Sequence, residues 1–426
     1  MNGDERVSLN NSRRDMTPFD MSEKPVKQNM FLMLPAWAAC YALTRTKGLD
    51  RIHRDLRGVK PPFIVVAVHQ GESDYYIAPR ALFPYRACYV SDMEGFAAFG
   101  KGLYRQLGCI GKRRFTADIS VIQNIRYALF TLKQPVVIYP ESRHCDAGVT
   151  SSLPDDIGRL IKLFGVPVAV LSSHDSYLAN PFWDEGHTRR TRLSASLELV
   201  YTADEVKNTS AEAIQKSICE RLKYDEYEYQ LNNRISITYA RRAEGLHLAL
   251  YKCRKCGKED MQTKDDTLFC KSCGERWTMN EYGVLCGSEG DVHIPDWYRW
   301  ERSEAEKEAQ GGYDVSFDVD IRALPSERGF VPVGRGTLRH YSGGYELIAG
   351  DTSLLRDSFP LRISTRSLMS VQTEYDYRCL DRGQCIVLST RDCCYYCYSD
   401  DPGFIVTKQE FIQEYLHRAE KISKKG

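Results

Sequence analysis

Three short apolar runs, each closed by a cluster of polar residues, limit what this chain can fold into. Residues 61–68 (PPFIVVAV) lead into His69-Gln70-Gly71-Glu72-Ser73-Asp74. Residues 134–139 (QPVVIY) lead into Pro140-Glu141-Ser142-Arg143-His144, and residues 165–171 (GVPVAVL) into Ser172-Ser173-His174. Unbroken β-branched runs of this kind read as strands buried on both faces, the habit of parallel sheets. Between the second and third, DDIGRLIKLF has helical periodicity behind an acidic start. Strand, helix, strand in this order predicts an α/β layer with a mainly parallel sheet. Ligands of such sheets bind just beyond the carboxyl ends of the strands, so the polar clusters are the candidate site.

His69 and Asp74 are the leading catalytic candidates, a general base and its orienting acid. Five helical steps rotate about 140°, so the two would not share a helix face. The pair works if His69 ends the strand, Gly71 makes the turn and Asp74 opens the next helix. The plainer alternative is a satisfied half-buried histidine and a helix-start acid. Residues 107–115 (LGCIGKRRF) place Lys112, Arg113 and Arg114 after a glycine turn. Guanidinium forks match phosphate oxygens, although a solvated basic turn would read the same way.

Over residues 35–240 the chain resembles the glycerolipid acyltransferases that act on lysophosphatidic acid (1-acylglycerol-3-phosphate). That family carries four ordered blocks. H-x-x-x-x-D is matched by His69 and Asp74, and a glycine followed six residues on by an arginine is matched by Gly108 and Arg114. P-E-G-T-R is matched in part by Pro140, Glu141 and Arg143, and the V-P strand by residues 166–171. The chain departs where the third block has its arginine one residue early, leaving Arg143 or His144 for the phosphate-contacting role. Val68 and Arg113 also replace the usual asparagine of the first block and acid of the second.

The resemblance implies acyl transfer from a thioester, acyl-CoA or acyl carrier protein, to the free hydroxyl of a lysophospholipid, lysophosphatidic acid foremost. His69 would take the hydroxyl proton and Asp74 would steady the imidazolium, a serine-hydrolase logic with the substrate as nucleophile. Arg114 and Arg143, with Lys112 or Arg113, would hold the acceptor phosphate, and Glu141 would orient an arginine or the head group. A non-catalytic lipid-binding scaffold on the same fold, and a zinc-ribbon adaptor, are the competing readings.

Cys253-x-x-Cys256 and Cys270-x-x-Cys273 stand thirteen residues apart, each pair followed by a glycine. Four thiolates at this spacing predict a closed, tetrahedral, structural zinc site of the ribbon type. Zinc ribbons often bind nucleic acid, yet the net charge is +1 and the ribbon's charges are balanced, so none is expected here. Residues 30–43 (MFLMLPAWAACYAL), followed by a string of Arg and Lys, read either as an interfacial helix with a cationic flank or as a core helix. No apolar stretch reaches the ~20 residues of a membrane span. Together with a polar N-terminus and fifteen cysteines that read as reduced thiols, several in metal-type pairs, these features predict a cytoplasmic protein seated on the inner face of the membrane.

The expected division is a polar arm (1–29), an acyltransferase domain (30–245), a zinc ribbon (246–290) and a charged helical linker (291–312). A β-rich domain closed by a helix (313–426) follows, similar in outline to pleckstrin-homology or GRAM folds. Its cysteines 379, 385, 393, 394 and 397 read as strand residues, not a second metal site.

Overall fold

The computed structural model describes residues 16–184, 187–350, 352, 355–375 and 383–423. The first part of the polar arm and Cys379 lie outside them.

The first sheet has seven strands: β1 (Ile52–Asp55), β2 (Ile64–Ala67), β3 (Cys88–Ser91), β4 (Cys109–Gly111), β5 (Val136–Ile138), β6 (Val168–His174) and β7 (Ser194–Tyr201). Their spatial order is β1-β7-β6-β2-β5-β3-β4. All neighbours are parallel except β6 and β7, which pair antiparallel. The three apolar runs thus become the central strands β2, β5 and β6. Alternation along β2 sends Ile64 and Val66 to one face and Phe63, Val65 and Ala67 to the other. The first face is covered by helices Ile119–Phe130, Ile157–Phe164 and Ala211–Arg221, the second by helix Asp74–Leu82. Burial on both sides is why these strands carry no polar alternation.

The cysteine segment forms a five-stranded antiparallel sheet of β8 (Met261–Lys264), β9 (Thr267–Cys270), β10 (Arg276–Met279), β11 (Leu285–Gly287) and β12 (Gly290–Val292). The charged helix Ile294–Gln310 follows, entered through a proline in its first turn.

The C-terminal sheet contains β13 (Asp314–Leu324), β14 (Val331–Tyr341), β15 (Gly344–Ala349), β16 (Leu361–Ser364), β17 (Gln372–Glu374), β18 (Cys385–Ser389) and β19 (Cys394–Tyr398). All described pairings are antiparallel, in the order β16-β15-β14-β13-β19-β18-β17. Helix Val406–Ser423 closes it, with Phe411, Ile412 and Leu416 buried. Among the described cysteines of this sheet, 385, 393, 394 and 397 are buried and unbridged.

The three sheets share one core. A single apolar cluster joins Cys145 and Tyr177 beside the first sheet, Leu268 and Trp277 of the ribbon, Trp297 and Tyr298 of the charged helix, and Phe411 of the last helix. Trp277 meets Trp297 edge-on at 4.7 Å, and Tyr298 meets Phe411 at 4.8 Å. A second cluster joins Met93 and Phe96 to Leu324, Phe330 and Tyr396. Each large apolar side chain taken from water contributes about 1.5–3 kcal/mol. The last helix therefore cannot leave the first domain without exposing several of them.

Candidate active site

His69 stands two residues beyond β2, and Asp74 opens the helix Asp74–Leu82, as the turn at Gly71 requires. The Asp74 carboxylate organises that turn. Its Oδ2 accepts from the amides of Gln70 at 2.6 Å and Gly71 at 3.0 Å, and its Oδ1 from the Ser173 hydroxyl at 2.9 Å. The same Oδ2 lies 3.7 Å from His69 Nδ1. That separation gives charge contact without a hydrogen bond, and Nδ1 has no hydrogen-bond partner. Nε2 faces the Tyr75 hydroxyl at 3.3 Å. Burial pushes the Tyr75 phenol well above its ordinary range, so it stays protonated. Both His69 and Asp74 are nearly buried, at 5% and 3% exposure.

Glu141 comes in from the end of β5. One carboxylate oxygen accepts from the His69 amide at 2.9 Å. The other accepts from the Ser151 amide at 2.8 Å and the Tyr224 hydroxyl at 3.0 Å. Burial outweighs these bonds and pushes Glu141 up to about 7. It braces the backbone of the histidine and touches no arginine among the contacts of the described residues. Ser142 follows at φ 59°, left-handed backbone that favours glycine, and it occupies the glycine position of the P-E-G-T-R pattern. Gly108, the glycine of the second block, is required outright: its φ is 93°, and a Cβ there would lie 2.3 Å from the Ala87 carbonyl oxygen.

The cations have protein partners. Arg143 is buried and paired with Asp146 at 2.8 Å and with Glu410 of the last helix. Tyr298 adds a hydrogen bond to Asp146 at 3.0 Å, and Arg302 contacts Glu414. Arg113 is buried and donates to the carbonyls of Pro325 at 2.7 Å, Arg391 at 2.5 Å and Asp392 at 3.0 Å. Arg114 is paired with Asp92 at 2.5 Å and Glu374 of β17 at 3.5 Å. Lys112 reaches the Ser142 hydroxyl at 2.8 Å and has no carboxylate partner among the described residues. Burial, with Arg114 adding to it, pushes Lys112 down to about 8. His144 lies ring to ring with His69 at 4.6 Å. Burial, then His69 and Arg114, push His144 well below its usual range, so it is neutral near pH 7.

Of the residues singled out in the sequence, His69, Asp74, Glu141, Lys112, Arg114 and His144 converge here. Arg113 and Arg143 are turned into the interface with the C-terminal half. Sequence reasoning missed Tyr75, Asp92 and Glu374. Asp92 had a local signal, a helix-capping acid just after a strand, and it does cap helix Met93–Phe99. Glu374 had none, because its place depends on a strand of three residues.

The four cysteines come together as the spacing predicts. Their sulfurs lie within 4.8 Å of one another, with Cys253–Cys273 and Cys256–Cys270 each at 3.7 Å. Bonds of ~2.3 Å to one tetrahedral ion give sulfur–sulfur edges of ~3.8 Å. The set therefore fits a single ion. A multi-iron cluster, with sulfides between its irons, would hold the cysteine sulfurs farther apart. Gly257 and Gly274, at φ 72° and 75°, turn the two knuckles.

The family model described as Acyltransferase matches residues 44–173, which contain all four blocks. The chain resembles the glycerolipid acyltransferases there. A second model, for membrane iron-sulfur containing proteins of the FtrD-like family, matches residues 218–306, the ribbon and part of the charged helix. No curated protein matches the chain. Among solved structures, the 1-acyl-sn-glycerophosphate acyltransferase PlsC of Thermotoga maritima is similar at 18% identity and a TM-score of 0.37. The match covers 47% of this chain and 80% of that one. SsgB of Streptomyces coelicolor is similar at 12% identity and a TM-score of 0.15, over 26% of this chain and 90% of its own. At those TM-scores neither likeness carries an argument about function.

Proposed function

We propose that this protein is an O-acyltransferase that moves a fatty acyl group from a thioester donor, acyl-CoA or acyl carrier protein, to a lipid hydroxyl. The observation that carries the reading is the His69–Asp74 pair at the end of β2, inside the segment matched by the acyltransferase family model. With Nδ1 protonated and turned toward Asp74, Nε2 is the base, and the Tyr75 hydroxyl that faces it at 3.3 Å would give way to the acceptor hydroxyl. That oxygen attacks the thioester carbonyl as its proton passes to Nε2. The carbon–sulfur bond then breaks, and the departing thiolate takes the proton back from the imidazolium. A general base of this kind contributes on the order of 10²–10⁴ in rate. Glu141 fixes the histidine backbone and takes no proton from substrate.

The family resemblance alone implies lysophosphatidic acid as the acceptor, whose phosphate Lys112 and Arg114 would have to meet; Arg114 is already paired with Asp92 and Glu374, so the acyl-transfer reading is kept here without that head group. The cysteine set suits zinc, bound structurally, and takes no part in the transfer.

The membrane-facing element in this reading is helix Met30–Thr46. Met30, Phe31, Leu34, Tyr41 and Leu43 are exposed along it, with Phe31 82% exposed. It is anchored to the helix that Asp74 opens: Trp37 stacks on Phe83 at 4.6 Å, and Arg80 donates to Thr44 at 2.8 Å. An apolar helix lying in the interface would thus seat the site beside its lipid substrates on the cytoplasmic leaflet. No helix among the described residues is long and apolar enough to cross a membrane.

The test is acyl transfer by the purified chain on lipid vesicles with acyl-CoA and acyl carrier protein donors, comparing wild type with His69→Ala. Loss of at least about a hundredfold is expected. Activity untouched by the substitution defeats the mechanism, and no transfer to any acceptor favours a lipid-binding scaffold.

A further inference from the structure

We propose that the acceptor at this site carries no phosphomonoester, and that Glu374, reaching in from the C-terminal sheet, is the residue that sets this specificity. The inference rests on the acyl-transfer reading and narrows its substrate to an acceptor with an uncharged, hydroxyl-bearing head.

A phosphate monoester needs cations whose charge is not already matched. The sequence offers five candidates, and four are spent. Arg143 is buried between Asp146 and Glu410. Its partner helix is fixed by the shared core, so this pairing belongs to the interior and does not open for a ligand. Arg113 gives its donors to three backbone carbonyls. His144 is kept neutral by burial. Arg114 is flanked by Asp92 and Glu374, so both sides of its guanidinium face carboxylates. Lys112 alone remains, a flexible single charge lowered by its burial.

The acids are also in excess. Gln372 donates to Glu374 at 2.7 Å and to Glu94 at 3.0 Å, which ties Glu94 and Glu374 into one network across the two domains. Tyr396 adds a hydrogen bond to Glu94. Three carboxylates, Asp92, Glu94 and Glu374, act on one guanidinium; burial pushes Glu374 up to about 7, so its full charge is present only above that pH. Gln372 and Glu374 are themselves buried, at 2% and 7% exposure. A dianionic head placed beside Arg114 would meet like charge on most sides, a juxtaposition that selects against it. A glycerol hydroxyl without charge meets donors and acceptors only.

Glu374 lies far outside residues 44–173, so nothing in the matched segment assigns it. It contacts Arg114 and not the reacting atoms among the described residues, so it is a specificity-determining residue.

The experiment compares two probes that differ only in the phosphate: 1-oleoyl-glycerol and 1-oleoyl-glycerol-3-phosphate, in the same vesicles with the same acyl-CoA. kcat and KM are measured at about pH 8.5, where Glu374 is charged, for wild type and Glu374→Gln, which keeps the bond to Gln372 and removes the charge. The ratio of kcat/KM values within each variant is the readout, since partial unfolding scales both acceptors alike. Wild type is expected to prefer 1-oleoyl-glycerol by at least about tenfold, and Glu374→Gln to shrink that ratio by about tenfold, mainly through KM for the phosphate. Preference of wild type for the phosphate overturns the inference even if the variant does not fold. An unchanged ratio in a folded Glu374→Gln overturns the role of Glu374. Transfer to neither probe overturns the acyl-transfer reading underneath.

Discussion

In the proposed mechanism, replacing Asp74 by Asn removes the charge that would steady the His69 imidazolium while keeping the shape of the turn. The size of the effect follows from the 3.7 Å between Oδ2 and Nδ1. At an effective dielectric near 20, two unit charges at that distance attract by about 4.5 kcal/mol. In that mechanism the imidazolium forms as the hydroxyl attacks, so the attraction lowers the barrier. At ~1.4 kcal/mol per tenfold, its full loss costs about 10³ in kcat. A water drawn in beside Nδ1 would return part of it, so 10²–10³ is the expected range. Both turn amides bond one oxygen, so the carboxamide oxygen keeps them, while its NH2 faces the Ser173 hydroxyl, which turns to accept. The assay is thiol release from acyl-CoA under saturating acceptor, with circular dichroism to show that the variant is folded. A folded Asp74→Asn protein whose kcat lies within threefold of wild type would refute the role given to this carboxylate.

The remaining predictions concern the frame around the pair. Arg143→Ala strands Asp146 and Glu410 in the interior and should cost about 3–5 kcal/mol, read as a lower denaturant midpoint, whichever acceptor is used. Glu141 is held up to about 7 by burial, above its unfolded value near 4.5. Its contribution to stability is therefore full below about pH 4.5 and lost as pH rises through about 7, so wild type should weaken relative to Glu141→Gln by a few kcal/mol between pH 5 and 8. A difference that does not change with pH would remove that assignment. Cys270→Ser should lower bound metal from one ion per chain to near none by elemental analysis and lower the melting temperature of the whole chain.

The strands β2, β5 and β6 were legible because burial on both faces leaves nothing but apolar residues between their ends. Asp74 at the start of a helix, the two glycine knuckles and the charged helix were legible for the same reason: each depends on neighbours in sequence. The destinations of Arg113 and Arg143 were not. Their partners in the C-terminal half stand 212 to 279 residues away, and nothing in a basic triplet or a P-E-S-R turn says that a later helix will claim the charge. The sequence also hid the antiparallel β6–β7 pair, since β7 sits between β1 and β6 and is set by topology, not by composition. Strands β16 and β17 were missed because they have only four and three residues. The apolar helix Met30–Thr46 was left between core and interface, and it shows both, packing Trp37 inward while Phe31 faces solvent.

The pairing of Arg143 with Glu410 has a consequence for the order in which the molecule is made. The strands around His69 emerge early in synthesis, and the carboxylate that neutralises Arg143 emerges 267 residues later. Until then a guanidinium beside the site has lost one of its two acids, and the loop after β5 lacks the helix it packs on. Contacts so distant along the chain close slowly and late. The settled geometry of the loop after β5 therefore depends on a helix made 267 residues later.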